Sequence, residues 1–185
     1  MEEILASQPV CEPIHPLEIA PYSDGAACLL LATESWLKKR AWKKDVAWIE
    51  GLGYCTENHD LGDKNLFENP ALRKACNDAY KMAGVRSPRE ELQFVEISSA
   101  FSYQNLLWLE EMDLLGVTAP SLNLSGGLMG ANPGFASGLI RICEVVRQIR
   151  PNPGSRGLAH GMNGFPGQSH CVWIFRSGAS LQGVS

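Results

Sequence analysis

The sequence lacks several features that would place it in a specialised class of protein. It has no run approaching the ~18 apolar residues that a membrane-spanning helix requires. Its first residues, Met1 to Ile4, are acidic and lack the basic and apolar regions of a secretory signal peptide. The formal net charge of −4 provides no basic surface for nucleic acid. We therefore expect a cytoplasmic globular protein with no nucleic-acid partner and no membrane span.

The sequence also lacks a disulfide framework and a complete metal-binding motif. Its 6 cysteines are scattered, and no Cys-x-x-Cys pair occurs. Cys55 and His59 could pair as zinc ligands, but a second pair that would complete a tetrahedron is missing. None of the cysteines lies in a recognisable nucleophile context. The sequence predicts free thiols, no metal and no covalently bound cofactor.

Apolar runs alternate with helical patterns along the chain. The run at 24–32 suits a strand buried on both faces. We expect an extended lead-in at 1–22, one α/β domain at 23–178 and a tail at 179–185. The predicted strands are 24–32, 46–49 (closed by Gly51 and Gly53), 92–97 and 171–175. The predicted helices are 34–39, 70–83 and 139–150, with Asn69 as the cap and Gly84 as the end of the second. A further helix is predicted to begin after Ser98 and Ser99, which can cap it, to carry Phe101 to Leu109 and to end at Gly116. This alternation predicts a layered α/β fold, without specifying the strand order.

Two glycine-rich segments are candidates for chemistry. Residues 123–138 lead into a helix, where glycines allow close backbone approach and free N–H groups can hold a thioester oxygen, an amide or a phosphate. A tight structural turn explains the same residues equally well. His160 lies in a predicted loop at 157–167 and could act as an acid or base, although a histidine that only binds backbone is an alternative.

Several ordered motifs resemble the C-terminal half of a thiolase, with more likeness to the sterol-carrier or lipid-transfer type than to the biosynthetic type. The similarity extends over residues 4–176. The motifs are Ser23 to Leu31, Ala79 to Gly84, Asn123 to Gly127, Asn132 to Gly138 and Gly157 to Gln168.

The resemblance implies a mixed sheet covered by helices, a layered α/β/α arrangement. It also implies Claisen condensation or thiolytic cleavage of a CoA thioester, which would be a substrate and not a bound cofactor. In this chemistry a cysteine forms an acyl-enzyme, a second group moves the proton, and an oxyanion hole holds the thioester oxygen.

The sequence departs from the thiolase pattern at its reactive positions. The nucleophilic cysteine belongs to an N-terminal half that this sequence does not contain. Asn132 replaces a histidine, Ser98 replaces an asparagine or histidine, and Met162 lies near the position of the acid–base cysteine. The resemblance then makes His160 the candidate proton carrier, beside Asn132 and Ser98. The expected contacts to CoA or the thioester are Ser125, Gly126, Gly127, Gly134, Ser137 and Gly138.

Three hypotheses follow. The chain is an acyltransferase subunit that pairs with a separate N-terminal half, a non-catalytic acyl-CoA-binding or assembly module, or a fragment of a longer thiolase-like protein. An isolated half would expose the face that packs on its twin, so we expect a heteromer or a homo-oligomer.

Overall fold

A five-stranded mixed sheet forms the centre of the computed structural model. The model describes residues 2–42, 44–58, 60, 62, 64–116, 121–164 and 167–178. The strands are β1 (Val46–Thr56), β2 (Phe94–Glu96), β3 (Ser121–Leu122), β4 (Arg156–Asn163) and β5 (Ser169–Gly178). Their spatial order is β1-β5-β4-β2-β3, with β2 parallel to both neighbours and β5 antiparallel to both of its own.

Helices cover both faces of this sheet. They are α1 (Glu2–Ala6), α2 (Glu34–Lys39), α3 (Pro70–Ala83), α4 (Pro88–Glu91), α5 (Ser102–Glu111), α6 (Gly127–Gly130) and α7 (Ser137–Ile149), with 3₁₀ turns at Pro16–Glu18 and Gly134–Ala136. One core cluster joins α3 and α5 to Leu158 and Val172, and a second joins α7 to Ala159 and Phe175. Successive strand residues therefore point to opposite helical layers, and the predicted layered α/β/α fold is confirmed. Across the described residues, no helix is long and apolar enough to cross a membrane.

The helix signals in the sequence were the most accurate of its predictions. Asn69 caps α3 by accepting a hydrogen bond from the Leu72 N–H, and Gly84 ends the helix with a left-handed φ of 66°. Thr33 caps α2 in the same way. The predicted cap of α5 was wrong. The Gln104 side chain, rather than Ser98 or Ser99, accepts hydrogen bonds from the N–H groups of Ala100 and Phe101.

Strand β1 continues through the glycines that were expected to close it. Both glycines lie against α3, where a Cβ at Gly51 would collide with the carbonyl oxygen of Ala79 and one at Gly53 with that of Ala75. The glycines therefore allow the helix to pack directly on the strand. A pattern of side chains cannot reveal this, because the determining contact is with the backbone of a distant helix.

The segment predicted as a glycine-rich loop at 157–167 is largely strand. Residues 156–163 form β4, which lies between β2 and β5. Gly157 packs under Val145 and Ile149 of α7, and Gly161 lies against Gly138 at the start of the same helix. Gly157 allows this close helix-to-sheet packing. Because β4 lies between β5 and β2, His160 belongs to an interior strand.

The predicted strand at 24–32 was also wrong for this chain. These residues form neither helix nor strand, and Leu30 and Leu31 are 97% and 78% exposed. No described strand lies beside the segment to accept its hydrogen bonds. The lead-in contains α1 and a 3₁₀ turn and is joined to the domain where Ile19 bridges Phe101. The tail at 179–185 and His59 lie outside the described residues.

Candidate functional site

Asn132 is held at the surface by two serines from different parts of the chain. Its N–H donates to Ser23 Oγ at 3.0 Å, its carbonyl accepts from the Ser23 N–H at 3.2 Å, and its Oδ1 accepts from Ser137 Oγ at 3.1 Å. Among the residues that the structure describes, its Nδ2 has no hydrogen-bond partner. A half-buried amide donor is thus fixed in position and left available to a ligand.

The backbone after Asn132 adds positive potential to this donor. The 3₁₀ turn Gly134–Ala136 runs directly into the thirteen-residue helix α7. A helix of this length carries partial positive charge at its N-terminus, where the first N–H groups lack helical partners. Gly134 has a φ of 54°, a left-handed value that favours glycine. The arrangement suits a ligand oxygen that bears negative charge.

Most of the other predicted thioester contacts are already used inside the protein. Ser125 Oγ donates to Glu96 at 2.5 Å, and the N–H groups of Gly126 and Gly127 donate to the Asn123 carbonyl and to Ser125 Oγ. Ser137 holds Asn132. Gly138 and Gly161 face each other, as a Cβ at Gly138 would lie 3.5 Å from the Gly161 Cα. That these predicted residues contact CoA or the thioester directly stays a prediction, whereas the structure shows that they shape the loop.

A buried ion pair that the sequence analysis missed supports this loop. Glu96 and Arg141 are 0% and 1% exposed, and Glu96 Oε2 lies 3.2 Å from Arg141 Nη1. Ser125 lies between them and accepts from Arg141 at 2.7 Å, while Gln148 donates to Glu96 Oε1 at 2.7 Å. Burial lowers the pKa of Arg141, although Glu96 opposes this shift. Two signals in the sequence could have indicated this pair, namely a carboxylate inside an apolar strand and an arginine near the apolar stripe of a helix.

His160 and Ser98 meet in the interior, on the sheet face opposite to α7. His160 is 0% exposed and Ser98 is 2% exposed. The Ser98 N–H donates to His160 Nδ1 at 3.3 Å, and Ser98 Oγ donates to the His160 carbonyl at 2.9 Å. Trp108 donates from Nε1 to the Ser98 carbonyl and packs edge-on to the imidazole. Both side chains are therefore part of the core.

The buried His160 imidazole forms a chain with a second histidine. His160 Nε2 lies 2.9 Å from His170 Nδ1, and His170 Nε2 lies 2.8 Å from the Gly167 carbonyl. Since a backbone N–H can only donate, His160 Nδ1 must accept, and both neutral tautomers follow. Burial is the main cause that lowers the pKa of His160 well below its usual value and that of His170 to about 4.

The structure therefore separates the three predicted catalytic residues. Asn132 lies near the surface before α7, whereas His160 and Ser98 lie on the other side of β4. Met162 packs partly buried against the same core as His160, and a thioether cannot carry a proton. The placement of His160 argues against an acid–base role within this chain, because a proton carrier must come within hydrogen-bond reach of its substrate.

Comparisons with known proteins agree with this architecture. No protein-family model matches the chain. It is 26% identical over 171 residues to the acetyl-CoA acetyltransferase of Methanocaldococcus jannaschii, covering 81% of this chain and 43% of that protein. It is 25% identical to human sterol carrier protein 2, covering 84% of this chain and 32% of that protein.

A solved structure shows the same fold over almost the whole chain. The Bacillus anthracis acetyl-CoA acetyltransferase superposes with a TM-score of 0.75 at 19% identity, covering 95% of this chain and 42% of that one. The chain is similar in sequence to acetyl-CoA acetyltransferases and to sterol carrier protein 2. Its fold is that of a thiolase C-terminal half, as the sequence motifs predicted. The chain spans less than half the length of these three proteins.

Proposed function

We propose that the chain is the C-terminal-half component of a thiolase-type acyltransferase that acts on CoA thioesters by Claisen condensation, thiolysis or related C–C bond chemistry. The observation that carries this proposal is Asn132, whose Nδ2 donor is oriented by Ser23 and Ser137 and kept free of partners in the described structure. In the proposed complex Nδ2 donates to the thioester oxygen as negative charge develops on it. The N-terminus of α7 adds to this stabilisation.

The nucleophile in this proposal comes from a thiolase N-terminal half. The attacking species in such chemistry is a thiolate, which a low pKa favours. Burial raises the thiol pKa of Cys76, Cys143 and Cys171, which is the opposite of activation. In the proposed complex, a cysteine from the other half lies beside Asn132 and serves as the nucleophile.

The proposal assigns His160 and Ser98 to positioning rather than to proton transfer. His160 is neutral and enclosed, and its two ring nitrogens already bind Ser98 and His170. We assign the proton carrier, like the nucleophile, to the other half. An His160→Asn complex that keeps its fold but loses turnover across the whole pH range would return the proton-transfer role to His160.

Asn132 variants in a purified complex with the N-terminal-half partner test the proposal. Removal of one oxyanion donor is expected to lower kcat by about 10²–10³-fold with a smaller effect on KM. The matched control is Asn77→Ala, which removes an exposed asparagine from α3. Asn132→Ala with an unchanged kcat would show that Nδ2 does not stabilise the transition state.

A second candidate is a binding module that holds acyl-CoA without reacting with it. The observation in its favour is that the histidine predicted to carry the proton is buried away from Asn132. Calorimetry with acetyl-CoA distinguishes the two functions. Saturable binding with no turnover in the complex supports the module, whereas turnover excludes it.

A further inference from the structure

Positive charge is concentrated in one short segment of this acidic chain. The formal net charge is −4, yet residues 38–44 are basic at every position except Ala41 and Trp42. The basic residues of this segment that the structure describes are all exposed, namely Lys38, Lys39, Arg40 and Lys44. Lys38 pairs with Glu34 at 2.8 Å, whereas the other three form no ion pair within the described ranges. The segment therefore keeps an excess of positive charge facing solvent.

Two tryptophans lie at the surface beside these charges. Trp36 is 44% exposed and Trp42 is 40% exposed, and the centres of their rings are 6.4 Å apart. The Arg40 guanidinium lies 5.3 Å from the centre of the Trp36 ring. Indole has an apolar body and a polar N–H, so it favours the boundary between water and an apolar phase. Exposed indoles among cations suit a partner that is both anionic and partly apolar.

The end of helix α2 holds the two tryptophans in place. Leu37 is buried and anchors α2 to the domain. The Trp42 N–H donates to the Leu37 carbonyl at 3.1 Å, which is the backbone bond of a helix-ending turn. Ala41, at the centre of that turn, has a left-handed φ of 46°. The chain therefore reverses after α2 and returns Trp42 to Trp36 in a defined arrangement.

We infer that this cluster, the tryptophan–lysine patch, binds the surface of a membrane that contains anionic lipid. The patch consists of Trp36, Lys38, Lys39, Arg40, Trp42 and Lys44. Its cations bind the phosphate and carboxylate groups of the lipids, and its two indoles enter the headgroup region. Clusters of about 4–8 lysines and arginines on an amphipathic helix bind anionic lipid in this way. The inference is independent of the proposed function, because it needs neither CoA nor the N-terminal half.

A nucleic acid is a poorer occupant of the tryptophan–lysine patch. A groove for a single strand follows the phosphate backbone over about 4–16 nucleotides, whereas the basic run is short and bounded by Glu34 and Asp45. A polyanion that extends past the patch meets a chain of net negative charge. A flat lipid surface needs to touch the patch alone, because charges farther away than a Debye length of about 8 Å are largely screened.

Co-sedimentation of the full chain with lipid vesicles tests the inference. The chain should bind vesicles of phosphatidylcholine mixed with phosphatidylserine, bind phosphatidylcholine alone at least about 10-fold more weakly, and lose affinity as salt is added. Equal binding to both vesicles overturns the inference, because the apolar residues exposed elsewhere would then explain it. Tighter binding to a single-stranded oligonucleotide than to either vesicle also overturns it, as does a lack of binding to the mixed vesicles.

Tryptophan fluorescence reports on the two indoles. The emission of the chain should shift to shorter wavelength on mixed vesicles, as Trp36 and Trp42 leave water. Trp42→Ala should reduce this shift, whereas the control Phe67→Ala, which removes an exposed aromatic ring outside the patch, should leave it unchanged. A parent chain that binds vesicles without any shift would overturn the insertion of the indoles.

Matched lysine variants locate the binding surface. Lys39→Gln with Lys44→Gln should weaken binding to the mixed vesicles by about 25-fold, since each basic residue near an anionic surface contributes about fivefold. The control, Lys74→Gln with Lys81→Gln, removes the same charge from α3 and should bind normally. All of these lysines are exposed, so the Tm of both variants should match that of the parent chain. Equal losses of binding for the two variants, or none for the first, would overturn the assignment to the patch.

Discussion

At the residue scale, the glycine-rich segment at 123–138 depends on a buried ion pair. Glu96 on β2 and Arg141 on α7 meet across Ser125, so one buried cluster joins the sheet, the loop and the helix. A buried ion pair is an uncertain contributor to stability, but removing one partner leaves a charge without compensation. Its clearest effect here is to fix the position of the loop relative to α7.

Glu96→Gln should therefore destabilise the fold by about 3–5 kcal/mol, because Arg141 would stay buried without its carboxylate. The matched control is Asp78→Asn, which breaks the exposed pair with Lys74 on α3 and should cost at most about 0.5 kcal/mol. Urea unfolding of both variants measures the difference. Equal losses in the free energy of unfolding for the two variants would show that Glu96→Gln does not leave Arg141 as an uncompensated buried charge.

The two buried histidines predict a loss of stability in acid. Their pKa values are lowered in the folded chain, so the unfolded chain binds more protons as the pH falls below about 6.5. This contribution to stability is complete above that pH and is lost as the pH falls toward about 4. With a folded pKa of about 4, His170 alone should cost about 2 kcal/mol between pH 7 and pH 5.

The measurement is the free energy of unfolding at both pH values for the parent chain, His170→Gln and His15→Asn. His170→Gln should flatten the dependence on pH. His15→Asn removes a histidine outside the core and should leave that dependence in place. A parent chain equally stable at both pH values would contradict the buried, neutral pair.

At the element scale, glycines determine how closely the helices approach the sheet. Gly53→Ala should cost about 1–3 kcal/mol, because its Cβ would collide with the Ala75 carbonyl and push α3 off β1. Gly138→Ala is the matched control, since its Cβ would make an ordinary contact at 3.5 Å within a helix. Thermal unfolding should show a lower Tm for the first variant alone; equal Tm values would contradict the close packing.

The elements also show what a sequence can predict. Helix α3 was predicted with both ends because its cap, proline and terminal glycine are local signals. Strand β4 was missed because its glycines are explained by packing on α7, a contact between distant residues. The segment at 24–32 has a strand pattern without a neighbouring strand.

At the scale of the whole molecule, the predicted site is only partly assembled. Asn132 was predicted and lies half-buried with an Nδ2 donor that is free in the described structure, whereas His160 and Ser98 were predicted from their neighbours and lie in the core. A linear motif gives the order of residues but not the sheet face on which each one lies. Glu96, Arg141 and His170 escaped the sequence analysis because their importance comes from partners that are far away in the chain.

Under the proposed function, the chain completes a thiolase-type site only together with an N-terminal-half partner. Thiolysis of acetoacetyl-CoA should be measured for the chain, for its N-terminal-half partner and for the two combined. We expect turnover in the combined sample alone. Turnover by this chain without the partner, or a stable complex that binds acetyl-CoA and never turns over, would contradict it.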